Sequence, residues 1–200
     1  MGKVRYADGF KLTLQEDVIQ LPLTWKKPRR VFVNSMSDLF HPNVPDDFIK
    51  RVFETMRNAP QHIFQVLTKR SERLAEIAPQ LSWPTNVWMG VSIENMDYAF
   101  RADDLRKVPA HVRFLSCEPL LGSLRELDIS NLHWLISGGE SGPKSRPVEI
   151  DWLRELRDKC LESKVPYFFK QWGGTNKKAS GRILDGITWD QFPLSLAATS

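Results

Sequence analysis

The chain has 200 residues, of which 42% are hydrophobic and 26% charged, with a formal net charge of +4. That is the balance of a globular protein able to bury a substantial core as one good-sized domain or two small ones. No stretch approaches the roughly 18 apolar residues of a bilayer span, and the start lacks the apolar core of a signal peptide, so a cytoplasmic protein without membrane contact is expected.

Short runs rich in Val, Ile, Phe and Trp recur along the chain at residues 31–33, 63–67, 87–91, 112–115, 134–136 and 167–169. They lie too far apart for hairpins and at the right distance for strand–helix–strand units. Between the first two, residues 45–58 predict a helix. Pro45 and two aspartates suit its first turn, and Phe48, Ile49, Val52, Phe53 and Met56 share one face. Residues 71–78 and 95–107 predict shorter helices, residues 122–132 a trimmed crossover, and residues 149–163 a second amphipathic helix carrying Trp152, Leu153, Leu156, Cys160 and Leu161. Ile183-Leu184, Asp185-Gly186 and Ile187-Thr188-Trp189 predict a hairpin with a two-residue primed turn. The tail from Leu194 is expected to fray. Residues 1–174 are thus read as a partial (β/α) barrel of parallel strands, and residues 175–200 as a C-terminal hairpin and tail packed on it.

Strands alternating with helices imply a parallel sheet, open and doubly wound or closed into a barrel. The strand ends favour the barrel. All six runs finish in polar or small residues, as they would if every carboxyl end faced one mouth, TIM-barrel-like; an open sheet needs chemistry only near its switch point.

Glu94, Glu118 and Glu140 follow three consecutive strands. At a shared mouth they are suited to a metal, a cationic or hydroxylated ligand, or acid–base work; the alternative is that each pairs with a cation such as Lys69, Arg70 or Lys170 and neutralises the mouth. Gly138 and Gly139 either let backbone amides approach a ligand or make a tight turn. Lys170 should have its stem buried behind Tyr167-Phe168-Phe169. It is read as a base or proton donor, or as the partner of a strand-end glutamate. Glu118, Glu140 and Lys170 are the candidate catalytic residues. The histidines, His41, His62, His111 and His133, lack metal-ligand spacing and read as packing or surface residues. The two cysteines, Cys117 at the mouth and Cys160, cannot hold a metal or cluster by themselves, and no metal ligands are assigned. Basic clusters at Lys26, Lys27, Arg29 and Arg30 and at Lys177, Lys178 and Arg182 are either solvated surface or a mild pointer to polyanions.

Six motifs occur in order: Asn34-Ser-Met-Ser-Asp-Leu-Phe, Leu67-Thr-Lys-Arg, Val91-Ser-Ile-Glu-Asn, Glu118-Pro-Leu-Leu-Gly, Gly138-Gly-Glu-Ser-Gly-Pro and Phe168-Phe-Lys-Gln-Trp-Gly. Together they resemble a phage-associated bacterial family of uncharacterised function whose members look radical-SAM-like, over residues from Arg5 to Pro193. In that family a preceding segment ends in Cys-x-x-Cys-Tyr-Ala. Its cysteines would hold a [4Fe-4S] cluster that cleaves S-adenosylmethionine reductively. The resemblance implies that the first barrel strand and the cluster ligands are missing here, that no cluster forms in this chain, and that the truncated chain self-associates. Ser92 and Glu94, after what would be the fourth strand, would contact S-adenosylmethionine together with Gly138 and Gly139. Gln171 would help line the mouth. The substrate would be a nucleic acid or nucleotide. A non-catalytic degenerate barrel acting as a binding module, for nucleic acid among other ligands, is the other reading.

Overall fold

In the computed structural model, residues 12–34, 37–175 and 181–193 are described. The tail from Leu194, Lys177, Lys178 and the segment before Leu12 lie outside them. An arm with two 3-10 turns, Glu16–Val18 and Leu21–Thr24, leads into strand β1, Arg30–Val33. There follow α1 (Asp46–Arg57), β2 (Ile63–Thr68), α2 (Ser71–Ile77), β3 (Val87–Ser92), α3 (Phe100–Arg106), β4 (Val112–Cys117), β5 (Trp134–Ser137), α4 (Ile150–Glu162) and β6 (Tyr167–Phe169). The hairpin strands β7 (Ile183–Leu184) and β8 (Ile187–Thr188) close the described chain. Among the described residues no helix is long and apolar enough to cross a membrane.

In the six-stranded sheet every neighbour is also the next strand in sequence and every pairing is parallel, whereas β7 and β8 pair antiparallel on their own. Crossovers of one hand between sequential strands put every helix on the same side of the sheet. The other side stays bare and curls inward, giving a half-barrel in place of a doubly wound sheet. Burial records the two faces. Phe64, Val66, Val87, Met89, Val91, Leu115, Leu135, Tyr167 and Phe169 pack against helix residues such as Phe53, Leu74, Leu105 and Leu156. The concave face holds a separate cluster of Trp88, Val112, Phe114 and Trp134, flanked by Ile63, Leu67, Ile136, Phe168 and Phe192. Alternate residues along each strand serve alternate layers, so the parity of every residue at a strand end is set.

The crossover between β4 and β5 contains no helix, as its length predicts. The helix expected over residues 95–107 is divided: Met96–Tyr98 is a 3-10 turn capped by the Asn95 side chain, which accepts from the Asp97 amide, and α3 begins at Phe100. The Asn95 cap draws the chain away from α-helical geometry there. In the hairpin, Asp185 and Gly186 take positive φ of 51° and 78°, the primed turn. Arg154 and Arg157 of α4 both hold the Asp185 carboxylate, and Leu184 is fully buried. The segment after the hairpin then covers the edge of β6: the Phe169 amide donates to Trp189 O (2.9 Å) and Gln191 N to Tyr167 O (3.2 Å).

Candidate functional site

Parity brings Lys69 after β2, Ser92 and Glu94 on and after β3, Glu118 after β4, Gly138 after β5 and Lys170 after β6 to the concave side at the carboxyl ends of the strands. Glu94 is the most enclosed carboxylate, its side chain 6% exposed. Its Oε2 accepts from Arg101 Nη1 at 3.0 Å, and the same nitrogen donates to Ser92 O at 2.8 Å. Lys69 contacts the other oxygen. No motif or spacing points to Arg101, a residue of α3 that reaches back to the strand end.

Glu118 forms the second polar group. Lys170 Nζ donates to its Oε2 at 2.7 Å, and Gln171 Nε2 donates to its Oε1 at 3.0 Å. Lys170 is half exposed, whereas the Glu118 side chain is 16% exposed. Gln171 Nε2 also contacts the Ser141 hydroxyl. Gly138 stands between the ends of β4 and β6: a Cβ there would lie 3.2 Å from Gln171 O, a tight approach, and in ordinary contact with the Glu118 carboxyl carbon at 3.6 Å. Glu140 does not join this group. Its carboxylate is gripped by Arg146, whose backbone N (2.8 Å), Nε (2.9 Å) and Nη2 (2.6 Å) all donate to it. Those bonds hold its pKa down at about 2. A further carboxylate, Asp38, ties the loop after β1 to β2: it accepts from Thr68 Oγ1 at 2.7 Å and Arg70 Nη1 at 3.0 Å.

The glycines owe their identity to close packing. A Cβ on Gly139 would sit 1.9 Å from Trp172 O. Its amide donates to Gln171 O at 2.9 Å, and the Gly138 amide to Cys117 O at 3.2 Å. Both amides are therefore engaged by neighbouring strand ends. A family model for "Protein of unknown function (DUF5131)" matches residues 2–193, a span that takes in every strand-end motif. The chain belongs to that family. No curated protein and no solved structure matches it.

In this DUF5131 chain the residues do not fit an iron–sulfur cluster. Cys117, expected at the mouth, has the opposite parity. It is fully buried between sheet and helices, in the same layer as Cys160. Burial pushes the Cys160 thiol up to about 12 and Cys117 higher still, the reverse of what a metal ligand needs. Among the described residues no group of His, Cys, Asp and Glu could hold a metal ion. The histidines pack: His62 Nδ1 accepts from the Arg29 amide (3.1 Å), and His133 Nδ1 from the Arg113 amide (3.0 Å).

Proposed function

We propose that this chain is a radical-SAM-like protein whose mouth receives S-adenosylmethionine and whose Glu118–Lys170 pair moves a substrate proton. The proposed substrate is a nucleic acid or nucleotide. The observation that carries this reading is the Lys170 Nζ to Glu118 Oε2 bond of 2.7 Å at the carboxyl ends of β4 and β6. A half-exposed ammonium can pass a proton to a bound substrate, leaving a neutral amine that still donates a hydrogen bond to the enclosed Glu118 carboxylate. Two such cation–carboxylate pairs, Lys69–Glu94 and Lys170–Glu118, also complement a zwitterion. Glu94 and Glu118 suit the ligand's ammonium and sulfonium, Lys170 suits its carboxylate, and Ser92, Gly138 and Gly139 form the wall between them. The ligand supplies a reactive sulfonium carbon when bound. The two cysteines of this chain, both buried, do not supply the ligands of the resembling family's reductive cluster.

Titration calorimetry tests the proposal. S-Adenosylmethionine should bind more tightly than S-adenosylhomocysteine, which lacks the sulfonium charge. Glu118→Gln should weaken binding by roughly 10-fold or more, the worth of a charge-assisted hydrogen bond. A flat titration at millimolar ligand would refute it. A second reading rests on a specific observation: each of Glu94, Glu118 and Glu140 already holds a cation. A mouth neutralised in this way belongs to a non-catalytic binding barrel, and the flat titration would leave that reading in place.

A further inference from the structure

A cleft lies at the opposite end of the sheet from the mouth, where β1 to β4 begin. It encloses about 450 Å³ and is lined by Arg29, Arg30, Asn86, Trp88, His111 and Phe192, with no acidic residue in its wall. That volume suits a ligand of small-molecule size. We infer that this cleft is a nucleotide site, taking a phosphate at Arg29 and Arg30 and an aromatic base beside Trp88 and the Arg30 guanidinium that covers Phe192.

Charge makes the first part of the case. Lys26, Lys27, Arg29 and Arg30 lie within five residues of one another with no acidic residue among them. At the mouth the cations Lys69, Arg70, Arg146 and Lys170 each hold a carboxylate. Here the pattern reverses. Among the described residues neither Arg29 nor Arg30 has a carboxylate partner; Arg29 lies over the Trp25 ring at 4.7 Å and Arg30 over Phe192 at 4.3 Å. Guanidinium groups parked on aromatic faces keep their fork of donors free for phosphate oxygens.

Asn86 supplies an independent observation. It is 8% exposed, and its Nδ2 donates to three backbone carbonyls, of Met56, Ala59 and His62. Its Oδ1 is buried with no partner. An unpaired buried acceptor is costly, and a donor such as the amino group of a base would satisfy it. An anion without N–H donors would not. Two cations, aromatic walls and an orphan acceptor together describe a base-bearing phosphate better than a bare anion or a lipid headgroup.

The same chemistry is found on a free mononucleotide and at the end of a single strand, so the test has two arms. Adenosine monophosphate binding is followed by tryptophan fluorescence, and binding of a labelled single-stranded oligonucleotide by anisotropy across a salt series. The double variant Arg29→Gln/Arg30→Gln is compared with Arg125→Gln/Lys144→Gln, which removes the same charge from exposed positions elsewhere. Melting curves of both variants confirm that each is folded. The expected result is a loss of about 10-fold or more in the first variant alone, in either arm. For the oligonucleotide, the slope of log K against log salt should fall by about 0.7, the worth of one phosphate contact. Binding of the mononucleotide marks a free-nucleotide site, and binding of the oligonucleotide alone marks a strand-end site. Equal losses in the two variants, or binding in neither arm, would overturn the inference while leaving the mouth untouched.

Discussion

Removing the Glu94 carboxylate tests whether the deepest acid at the mouth braces the fold. Its side chain is 6% exposed and that of Arg101 10%, while Lys69 is 54% exposed. In Glu94→Ala, Lys69 turns into water at little cost, because a half-exposed pair is worth about 1 kcal/mol or less. Arg101 has no such escape. It keeps Ser92 O at 2.8 Å and the Tyr98 face at 4.1 Å, but its charge stays buried without a counter-ion. Breaking a buried pair from one side costs about 3–5 kcal/mol, a large share of the ~5–15 kcal/mol that holds a domain together. At roughly 2–4 °C per kcal/mol for a chain of this size, the melting point should fall by roughly 6–20 °C. Urea unfolding followed by tryptophan fluorescence gives the energy directly. The double variant Glu94→Leu/Arg101→Met should recover most of the loss, since no lone charge remains. A cost below about 1 kcal/mol for Glu94→Ala would show that Arg101 does not depend on this carboxylate, and the brace would fall.

Two further outcomes follow from the same geometry. Both thiols should be silent toward a disulfide reagent in the native protein and titrate only on unfolding; rapid labelling of Cys117 would mean that it does face the mouth. The Asp185 carboxyl is held at about 2 by hydrogen bonds from Arg154 and then Arg157. A carboxyl depressed on folding stabilises above its unfolded pKa and loses that contribution as pH falls from the usual carboxylate range through about 2. Asp185→Asn should flatten this part of the acid unfolding curve and speed amide exchange at Leu184. Coincident curves for the two proteins would contradict the hairpin's attachment to α4.

The strands were legible because a strand buried on both sides must be a continuous apolar run, and all six runs match observed strands to within two residues. The polar strand ends likewise pointed to one mouth. Facing was harder to read. Cys117 was expected at the mouth because it stands at a strand end, yet Phe114 on the concave face fixes its parity outward. Position along the strand says which end a residue occupies; alternation says which layer. Glu140 was grouped with Glu94 and Glu118 on spacing alone, and Arg146, its partner six residues on, sits in a loop without periodicity. Close approach to Trp172 O requires glycine at 139, a contact that no spacing in the sequence reveals. The cover over β6 was hidden because Gln191 acts through its backbone and one amide oxygen, which no apolar pattern reveals.

The two edges of the sheet are treated unequally, and this makes a prediction about association. β6 is covered by residues 189–191, with the Gln191 side chain accepting from Tyr167 N at 2.9 Å. β1 pairs with β2 on one side and, among the described residues, with no strand on the other. Its Phe32 is 45% exposed, an apolar side chain beside unpaired backbone donors and acceptors, which is the usual template for edge-to-edge pairing. Lys26, Lys27, Arg29 and Arg30 flank that edge without carboxylate partners on Arg29 or Arg30. Two copies meeting there would bring like charges together. Salt screens that repulsion within a Debye length of about 10 Å at 0.1 M and about 3 Å at 1 M. Self-association should therefore strengthen as salt rises, the opposite of nucleotide binding at the cleft below the same strand. Sedimentation velocity at low and high salt measures it, and Phe32→Lys should restore the monomer by adding a charge to the edge. Association that weakens with salt, or survives Phe32→Lys unchanged, would place the contact elsewhere and leave β1 an edge protected by its own charges.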